Sequence, residues 1–240
     1  MSDREIVLKQ IKSRGHWRIN FQPLVAENKL QSPRDCRDIM EKNKVRLRGW
    51  DYPYIPTNTS SDKDIYPTNS GYEAWNSYGA YKEFWRIYQS GQFIHYRALI
   101  EDWAADDTPR LGNLDGTWKN TLGIVRAIYQ VTEIFEFANR LCRSEIYNEG
   151  LKISLSLRGC NGRSLKVDDP NRVGFYDDSY VCKIEVVEFK EKYEKDQLIG
   201  TSKELGFESI IYFFERFGWH KPNTGMIKEE QEKLLSSRFS

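Results

Sequence analysis

Residues 83–103 read EFWRIYQSGQFIHYRALIEDW, and this stretch decides the fold class. Aromatic and aliphatic residues occupy both alternating sets of positions, on either side of a Ser90-Gly91 pair. Alternation with a period of two is typical of β-strands, and a glycine-containing pair between two such runs indicates a tight turn. The stretch is therefore predicted to form a β-hairpin that is buried on both faces.

Two helices are expected to pack against this sheet. The first, over residues 118–143, has apolar residues at steps of four and three, in a sector wide enough to be covered on two sides. The second, over residues 201–217, starts at the capping-box pair Thr201 and Glu204 and stops before Gly218. These patterns predict an α+β fold, in which a mostly antiparallel sheet, or two related sheets, is flanked by a long helix and a C-terminal helix.

The remaining elements follow from the same periodicities. Helices are also predicted over residues 3–13, 32–43 and 226–235, and strands over residues 16–24, 44–49, 72–78, 151–159 and 180–190. The pair Asn161-Gly162 suits a two-residue turn, so residues 163–168 are expected to return as a hairpin partner of the strand before it. Residues 51–71, with three prolines, are expected to form a long irregular loop.

An acidic loop at residues 106–116 is the best candidate for an internal boundary. It would separate an N-terminal α+β half, residues 1–112, from a C-terminal helix–meander–helix half, residues 113–240. The two halves could also form one continuous domain. Residues 47–51 (LRGWD) and residues 157–161 (LRGCN) are identical at three of five positions. A duplication of a helix-plus-meander unit therefore remains an open alternative.

Composition indicates a folded protein in water. The chain is 39% hydrophobic and 14% aromatic, which is enough apolar surface to offset the entropy of ordering the chain. Charged residues make up 30%, and no apolar run approaches the roughly 20 residues that cross a bilayer. The first ten residues are charged and do not resemble a signal peptide, so a cytoplasmic location without membrane contact is expected.

The cysteines and histidines do not suggest a metal centre. The four cysteines and three histidines are widely separated, and no C-x-x-C pair is present. A structural zinc site needs clustered ligands, so buried, reduced thiols are expected, with no metal and no cofactor. Phosphate-binding glycine loops, a nucleophile elbow and an H-E-x-x-H helix are also absent from the sequence.

The distribution of charge suggests a binding surface. Residues 1–50 carry 12 Lys and Arg against 6 Asp and Glu, whereas residues 51–116 carry 5 against 10. Arginines on one strand face followed by loop aromatics would combine phosphate attraction with base stacking. The residues in this candidate surface are Arg46, Arg48, Trp50, Tyr52 and Tyr54, which Arg14, His16 and Arg18 could extend. The alternative is that the arginines pair with the acidic middle segment and the aromatics close the core.

A second candidate site lies on the hairpin itself. His95 is in the middle of a predicted strand, and Arg86 and Tyr88 share a face of the opposing strand. The three side chains are expected to converge on one polar pocket. The alternative is that His95 is a hydrogen-bonded core residue.

The sharpest enzymatic hypothesis is a metal-dependent nuclease or phosphodiesterase. Glu188-Phe189-Lys190 matches the E-x-K end of restriction-endonuclease-like cores, and Asp168 and Asp178 lie upstream. That chemistry requires the carboxylates to share one cation. In an extended strand, however, Asp178 and Glu188 would be roughly 33 Å apart at about 3.3 Å per residue.

The sequence therefore favours a non-catalytic binding or regulatory module over an enzyme. Nucleic acid or a protein partner would be contacted through the strand and loop of residues 44–54. One alternative is the nuclease that uses Glu188, Lys190 and Asp178. Another is a structural subunit of a complex, including a homodimer formed through helix 118–143.

Overall fold

The computed structural model describes residues 2–25, 30–56, 65–104, 116–175 and 180–236. Its helices are α1 (Asp3–Lys12), α2 (Pro33–Asn43), α3 (Ile124–Leu141), α4 (Lys195–Arg216) and α5 (Thr224–Ser236). Its strands are β1 (His16–Pro23), β2 (Ile65–Thr68), β3 (Gly71–Tyr78), β4 (Tyr81–Tyr88), β5 (Phe93–Ala98), β6 (Thr121–Gly123), β7 (Leu151–Arg158), β8 (Ser164–Lys166) and β9 (Val186–Tyr193). No helix in this part of the chain is long and apolar enough to span a membrane.

Seven strands form one antiparallel sheet in the order β2-β3-β4-β5-β1-β7-β9, so the predicted α+β fold is confirmed. The predicted hairpin is β4–β5, in which Glu83 lies opposite Arg97 and Ile87 opposite Phe93. The central strand β1 pairs with β5 on one side and β7 on the other. The sheet thus takes strands from both sequence halves, and the division of the chain after residue 112 stays a prediction.

One face of the sheet, called the inner face here, packs against the helices. The edge of Phe213 in α4 meets Trp17 of β1 at 4.8 Å between ring centroids, and Phe137 of α3 stacks on Phe21 at 6.2 Å. Helix α3 is covered by the sheet on one side and by α4 and α5 on the other. Its wide apolar sector is therefore buried within the chain, as the packing on two sides predicted.

The opposite face of the sheet is only partly covered. Helix α1 packs over β3, β4 and β5, where Val7 and Ile11 join a small apolar cluster with Phe84 and Trp103. Over β1, β7 and β9, this face carries polar and charged side chains. We call the part of this face that is formed by β1, β7 and β9 the open sheet face.

The helix boundaries differ from those predicted. Helix α3 begins at Ile124 rather than near residue 118, because Gly116–Trp118 forms a 3-10 turn and β6 follows it. Helix α4 begins at Lys195, and Thr201 lies inside it with φ −133° and ψ 25°. Thr201 therefore marks a kink, with one helical stretch before it and the predicted stretch after it.

Several strand predictions are also wrong. Residues 44–49 do not form a strand, since only Val45 pairs, in an isolated bridge with Tyr52. Strand β8 pairs in parallel with β6 and not with β7, so Asn161-Gly162 does not close the expected hairpin. Strand β9 begins at residue 186 rather than 180, and β2 lies within the predicted loop 51–71. The proposed boundary loop at 106–116 lies almost wholly outside the described residues.

A buried ion pair explains why the chain turns away after β7. Asp102 is 6% and Arg163 2% exposed, and the carboxylate accepts hydrogen bonds from both terminal guanidinium nitrogens at 3.0 and 2.6 Å. The same carboxylate accepts the backbone N–H groups of Gly15 at 2.8 Å and Asn120 at 3.1 Å. A Cβ at Gly15 would lie 2.1 Å from Arg163 Nη2, so the close approach requires glycine. Asp102 thereby joins the start of β1, the entry to β6 and the loop after β7.

Replacing Arg163 with methionine is expected to lower the free energy of unfolding by about 3–5 kcal/mol, because Asp102 would remain buried without its cation. Urea unfolding measures the loss. The control is Arg172→Met, since Arg172 is 29% exposed and its ion pairs are partly solvated; a loss under about 1 kcal/mol is expected there. Equal losses in the two variants would contradict this account of the junction.

Candidate functional site

The predicted basic and aromatic segment is held by internal carboxylates. Lys44 Nζ donates to Asp51 Oδ2 at 2.7 Å, and Arg46 donates to Asp51 Oδ1 at 2.9 Å. Asp51 is 7% exposed, whereas the side chain of Arg46 is 60% exposed. Arg46 thus reaches solvent with its charge already opposed by a carboxylate of the same segment.

Arg48 turns inward, away from Arg46. It donates two hydrogen bonds to the carboxylate of Glu133, which is fully buried on α3. Arg97 of β5 lies 3.9 Å from the same carboxylate. The prediction that Arg46 and Arg48 share one face is therefore wrong, because each arginine is bound by a different carboxylate.

The aromatics of the segment divide in the same way. Trp50 is 40% exposed and meets Tyr81 edge-on at 6.1 Å, with the Arg48 guanidinium 5.2 Å from its ring. Tyr52 is fully buried and packs edge-on against Phe137 at 5.9 Å. Tyr54 is half-buried, and its carbonyl accepts the indole N–H of a core tryptophan. Trp50 is therefore the aromatic residue of this segment that presents most of its ring to solvent.

His95 is a buried core residue with two polar neighbours. Its Nε2 lies 2.9 Å from Glu83 Oε2, and its Nδ1 lies 3.3 Å from the hydroxyl of Tyr52. Burial lowers the pKa of His95, although the hydrogen bond to Glu83 acts in the opposite direction. Burial acts to raise the pKa of Glu83, but the hydrogen bond from His95 and the charge of Arg97 hold that pKa below its ordinary value.

Arg86 and Tyr88 do not converge with His95. The β4–β5 register places Trp85 opposite His95 and Arg86 opposite Ile94, so the side chains of Arg86 and His95 lie on opposite faces of the sheet. Arg86 forms two hydrogen bonds to the buried carboxylate of Glu73 and a third to the hydroxyl of Tyr88 at 3.3 Å. The predicted shared pocket is wrong, since alternation along β4 separates the two groups.

The residues of the nuclease hypothesis are not seen together. Glu188 and Lys190 lie on the open sheet face and form an ion pair at 2.7 Å. Asp168 caps α3 by accepting the backbone N–H groups of Val125 at 2.7 Å and Arg126 at 3.0 Å. Asp178 lies outside the described residues. Within the described ranges, no group of three or more His, Cys, Asp and Glu side chains could hold a metal ion.

All four cysteines are buried and free, as expected for structural thiols. Burial raises the pKa of Cys36, Cys142 and Cys160 to about 12. The reactive form of cysteine is the thiolate, which a raised pKa disfavours.

The open sheet face is the most basic surface that the strand registers assemble. Its cations are Arg18 on β1, Lys152 and Arg158 on β7, and Lys190 and Lys192 on β9, whereas Glu188 is its one carboxylate among the described residues. Arg18 lies opposite Ser156, and Lys152 lies opposite Lys192. In the described part of the chain, Arg18, Lys152, Arg158 and Lys192 form no ion pair with a carboxylate.

A basic cleft continues this face beyond the ends of β1 and β7. The cleft has a volume of about 570 Å³, and its lining includes Lys12, Lys119 and Arg158. His16, also in this lining, is 5% exposed. Burial lowers the pKa of His16, and the charges of Arg158 and Lys12 lower it further.

Sequence reasoning found only one end of this surface. Arg14, His16 and Arg18 were expected to extend a basic face, but Lys152, Arg158 and Lys192 were not assigned to any site. The signal is present as alternation, because every second residue of KISLSLR from 152 to 158 is polar. Its meaning depends on the pairing of β1 with β7, which the sequence does not state.

Comparisons with protein-family models, with curated proteins and with solved structures find no match to this chain. Two surfaces of the molecule are candidates for function: the open sheet face and the aromatic segment around Trp50.

The buried His95 predicts a pH dependence of stability. In the unfolded chain, His95 takes up a proton near its ordinary pKa of about 6.5, whereas the folded, buried ring resists protonation to lower pH. The free energy of unfolding is therefore expected to fall as the pH drops below about 6.5, by up to about 1.4 kcal/mol per pH unit from this residue. The lowered pKa of Glu83 adds a further loss at more acidic pH.

Urea unfolding at a series of pH values measures this loss. His95→Gln is expected to show a shallower fall in unfolding free energy between about pH 7 and 5. The control is His220→Gln, which makes the same substitution at an exposed histidine. A slope in His95→Gln equal to that of the unmodified protein would show that His95 is not the group responsible.

Proposed function

We propose that this protein is a non-catalytic module that binds nucleic acid on the open sheet face. The observation that carries the proposal is the contrast between its two groups of cations. Arg46 and Arg48 are neutralised by Asp51 and Glu133, whereas most cations of the open sheet face have no carboxylate partner among the described residues.

Charge complementarity supports a polyanionic partner. Five cations and one carboxylate share the face, although the whole chain has a formal net charge of only +1. Such local asymmetry attracts phosphates and releases their counterions. Residues on one strand face recur about every 7 Å, and strands are about 4.8 Å apart, so the cations cover an area instead of a point. An extended phosphate backbone fits that arrangement better than a single small anion.

The remaining side chains of the face add neutral hydrogen-bonding groups, and Tyr96 of the neighbouring strand β5 borders the face. Asn20 lies opposite Ser154, and Arg18 lies opposite Tyr96 of β5. The ammonium of Lys12 is 4.6 Å from the centroid of the Tyr96 ring. Phosphate contacts of this kind position a nucleic acid without reading its sequence. Binding is therefore expected to be governed by salt and to depend little on sequence.

The alternative activity would use the same face. Glu188 and Lys190 lie among the phosphate-binding cations, so a nuclease would present its carboxylate to the bound backbone. Cleavage of nucleic acid in the presence of magnesium or manganese that is lost in Glu188→Ala would establish it. Binding without cleavage supports the module.

Reversing three cations tests the proposed surface. The variant carries Arg18→Glu, Lys152→Glu and Lys192→Glu, and its affinity for a labelled single-stranded oligonucleotide is measured by fluorescence anisotropy at several salt concentrations. The unmodified protein is expected to bind more weakly as salt rises, because counterion release is the driving force. Loss of three phosphate contacts should reduce the slope of log K against log salt by roughly 2, at about 0.7 per contact.

The control variant has the same change in net charge at cations elsewhere. It carries Arg34→Glu, Lys42→Glu and Lys221→Glu, of which the first two lie on α2. The control should keep most of the affinity and the salt slope. Equal weakening of the two triple variants, or no binding by the unmodified protein at low salt, would rule out the open sheet face as the nucleic-acid site.

A further inference from the structure

Two adjoining cavities lie where the Trp50 segment meets β4, β5 and α3. The inner cavity has a volume of about 120 Å³, and the outer cleft has a volume of about 650 Å³. Trp50, Tyr81, Glu83 and Arg97 line both. The two spaces therefore adjoin at these four side chains.

The inner cavity contains hydrogen-bond donors that lack acceptors. Gln130 of α3 is 5% exposed, and its Nε2 is buried without a hydrogen bond. Nη1 of Arg126, one helical turn earlier, is also buried without a hydrogen bond. Its carboxylate neighbours Glu101 and Asp168 are 3.7 and 3.5 Å away, beyond good hydrogen-bonding distance. Two buried donors on one face of α3 thus lack an acceptor at this cavity.

Arg97 adds a third donor group at the point where the two cavities meet. It forms no hydrogen bond with a described residue, and the Glu133 oxygen nearest to it is 3.9 Å away. Buried polar groups in proteins nearly always have a partner in protein, ordered water or ligand. Arg126 and Gln130 are two such groups, and Arg97, whose side chain is 15% exposed, adds a partly exposed donor beside them, so the cavity suits a molecule with several acceptors.

The cavity wall also contains acceptors, which restricts the charge of that molecule. Glu83 and Glu101 both line the inner cavity. A strongly anionic molecule would meet these two acids, and a cation would meet Lys82, Arg97 and Arg126. Arg48 also lines the cavity, but Glu133 already neutralises it. A neutral molecule that carries both acceptors and donors fits the wall best.

Aromatic side chains favour a planar molecule. Trp50 and Tyr81 stand where the two cavities adjoin, and Trp17 lines the inner wall. The outer cleft is lined by Tyr54, Trp75 and Tyr78 as well. Flat rings gain stacking contacts on such side chains, and ligand sites commonly combine aromatic walls with a few placed polar groups.

We propose that the inner cavity binds a purine or pyrimidine base presented as a nucleoside. Arg97, Arg126 and Gln130 donate to its carbonyl and ring-nitrogen acceptors, and the base packs against Trp50 and Tyr81. The sugar occupies the outer cleft. This site is separate from the open sheet face and does not depend on nucleic-acid binding there.

Isothermal titration calorimetry of the full chain with adenosine, guanosine, cytidine and uridine tests the proposal. At least one nucleoside is expected to bind. Gln130→Leu removes one donor at similar volume, and Trp50→Ala removes an exposed part of the wall. In each variant, the affinity for that nucleoside is expected to fall at least tenfold, which corresponds to the loss of about one good hydrogen bond or stacking contact.

Controls separate a local effect from a general one. Gln10→Leu changes another glutamine with an unpartnered buried atom, in α1 and outside both cavities, so the affinity should stay the same. Thermal unfolding confirms that Gln130→Leu folds. The triple variant Arg18→Glu, Lys152→Glu, Lys192→Glu should also keep nucleoside affinity, so that failure of one site is distinguishable from failure of the other.

Three results would overturn the proposal. The first is no binding of any of the four nucleosides. The second is unchanged affinity in either Gln130→Leu or Trp50→Ala. The third is binding of benzoate without binding of a nucleoside, which would identify a carboxylate site instead of a base site.

Discussion

Buried carboxylates and the arginines that neutralise them determine how this chain presents its charge. Glu73 and Glu133 are fully buried and Asp102 nearly so, and each is bound by an arginine from a distant part of the chain: Arg4, Arg48 and Arg163, respectively. A buried charge without a partner is strongly destabilising, so these arginines are committed to the interior. Cationic side chains can interact with solvent or with a partner only where no buried carboxylate binds them.

This constraint separates the two surfaces. Around Trp50, arginines face acids, and the result is a cavity with mixed donors and acceptors beside aromatic rings. In β7, alternation places the cationic side chains on the open sheet face and places Ile153 and Leu155 in the core on the other side of the sheet. The first environment suits a neutral planar molecule, and the second suits a chain of phosphates. The difference between the two surfaces arises because some cations are paired with buried carboxylates and others are not.

Local sequence patterns predicted the fold well where the structure of a segment depends on residues close to it in the chain. The β4–β5 hairpin, the Ser32 cap of α2 and the alternation of β7 all depend on neighbours in the chain. Prediction failed where a distant partner decides the outcome. Residues 44–49 alternate like a strand but pair only at Val45, and residues 164–166 join β6 because Arg163 is drawn to Asp102.

The candidate sites were harder to predict than the fold, for the same reason. Arg48 has the sequence context of a surface residue, and only the position of Glu133 in α3 shows that it is internal. His95 and Arg86 belong to neighbouring strands, yet their register places them on opposite faces. Lys152 and Lys192 become one surface only when β7 and β9 are paired. Sequence indicates which residues can act, and tertiary pairing decides which act together.

The position of β1 has a consequence for how the protein is made. This strand is synthesised before both of its neighbours, since His16 pairs with Ala98 on one side and with Arg158 on the other. Until those residues are synthesised, both hydrogen-bonding edges of a strand rich in Trp, Ile and Phe stay open to other chains. Sheets assembled from such remote segments form slowly. Nascent chains of this protein therefore have an interval in which their future central strand is the segment most exposed to misassembly.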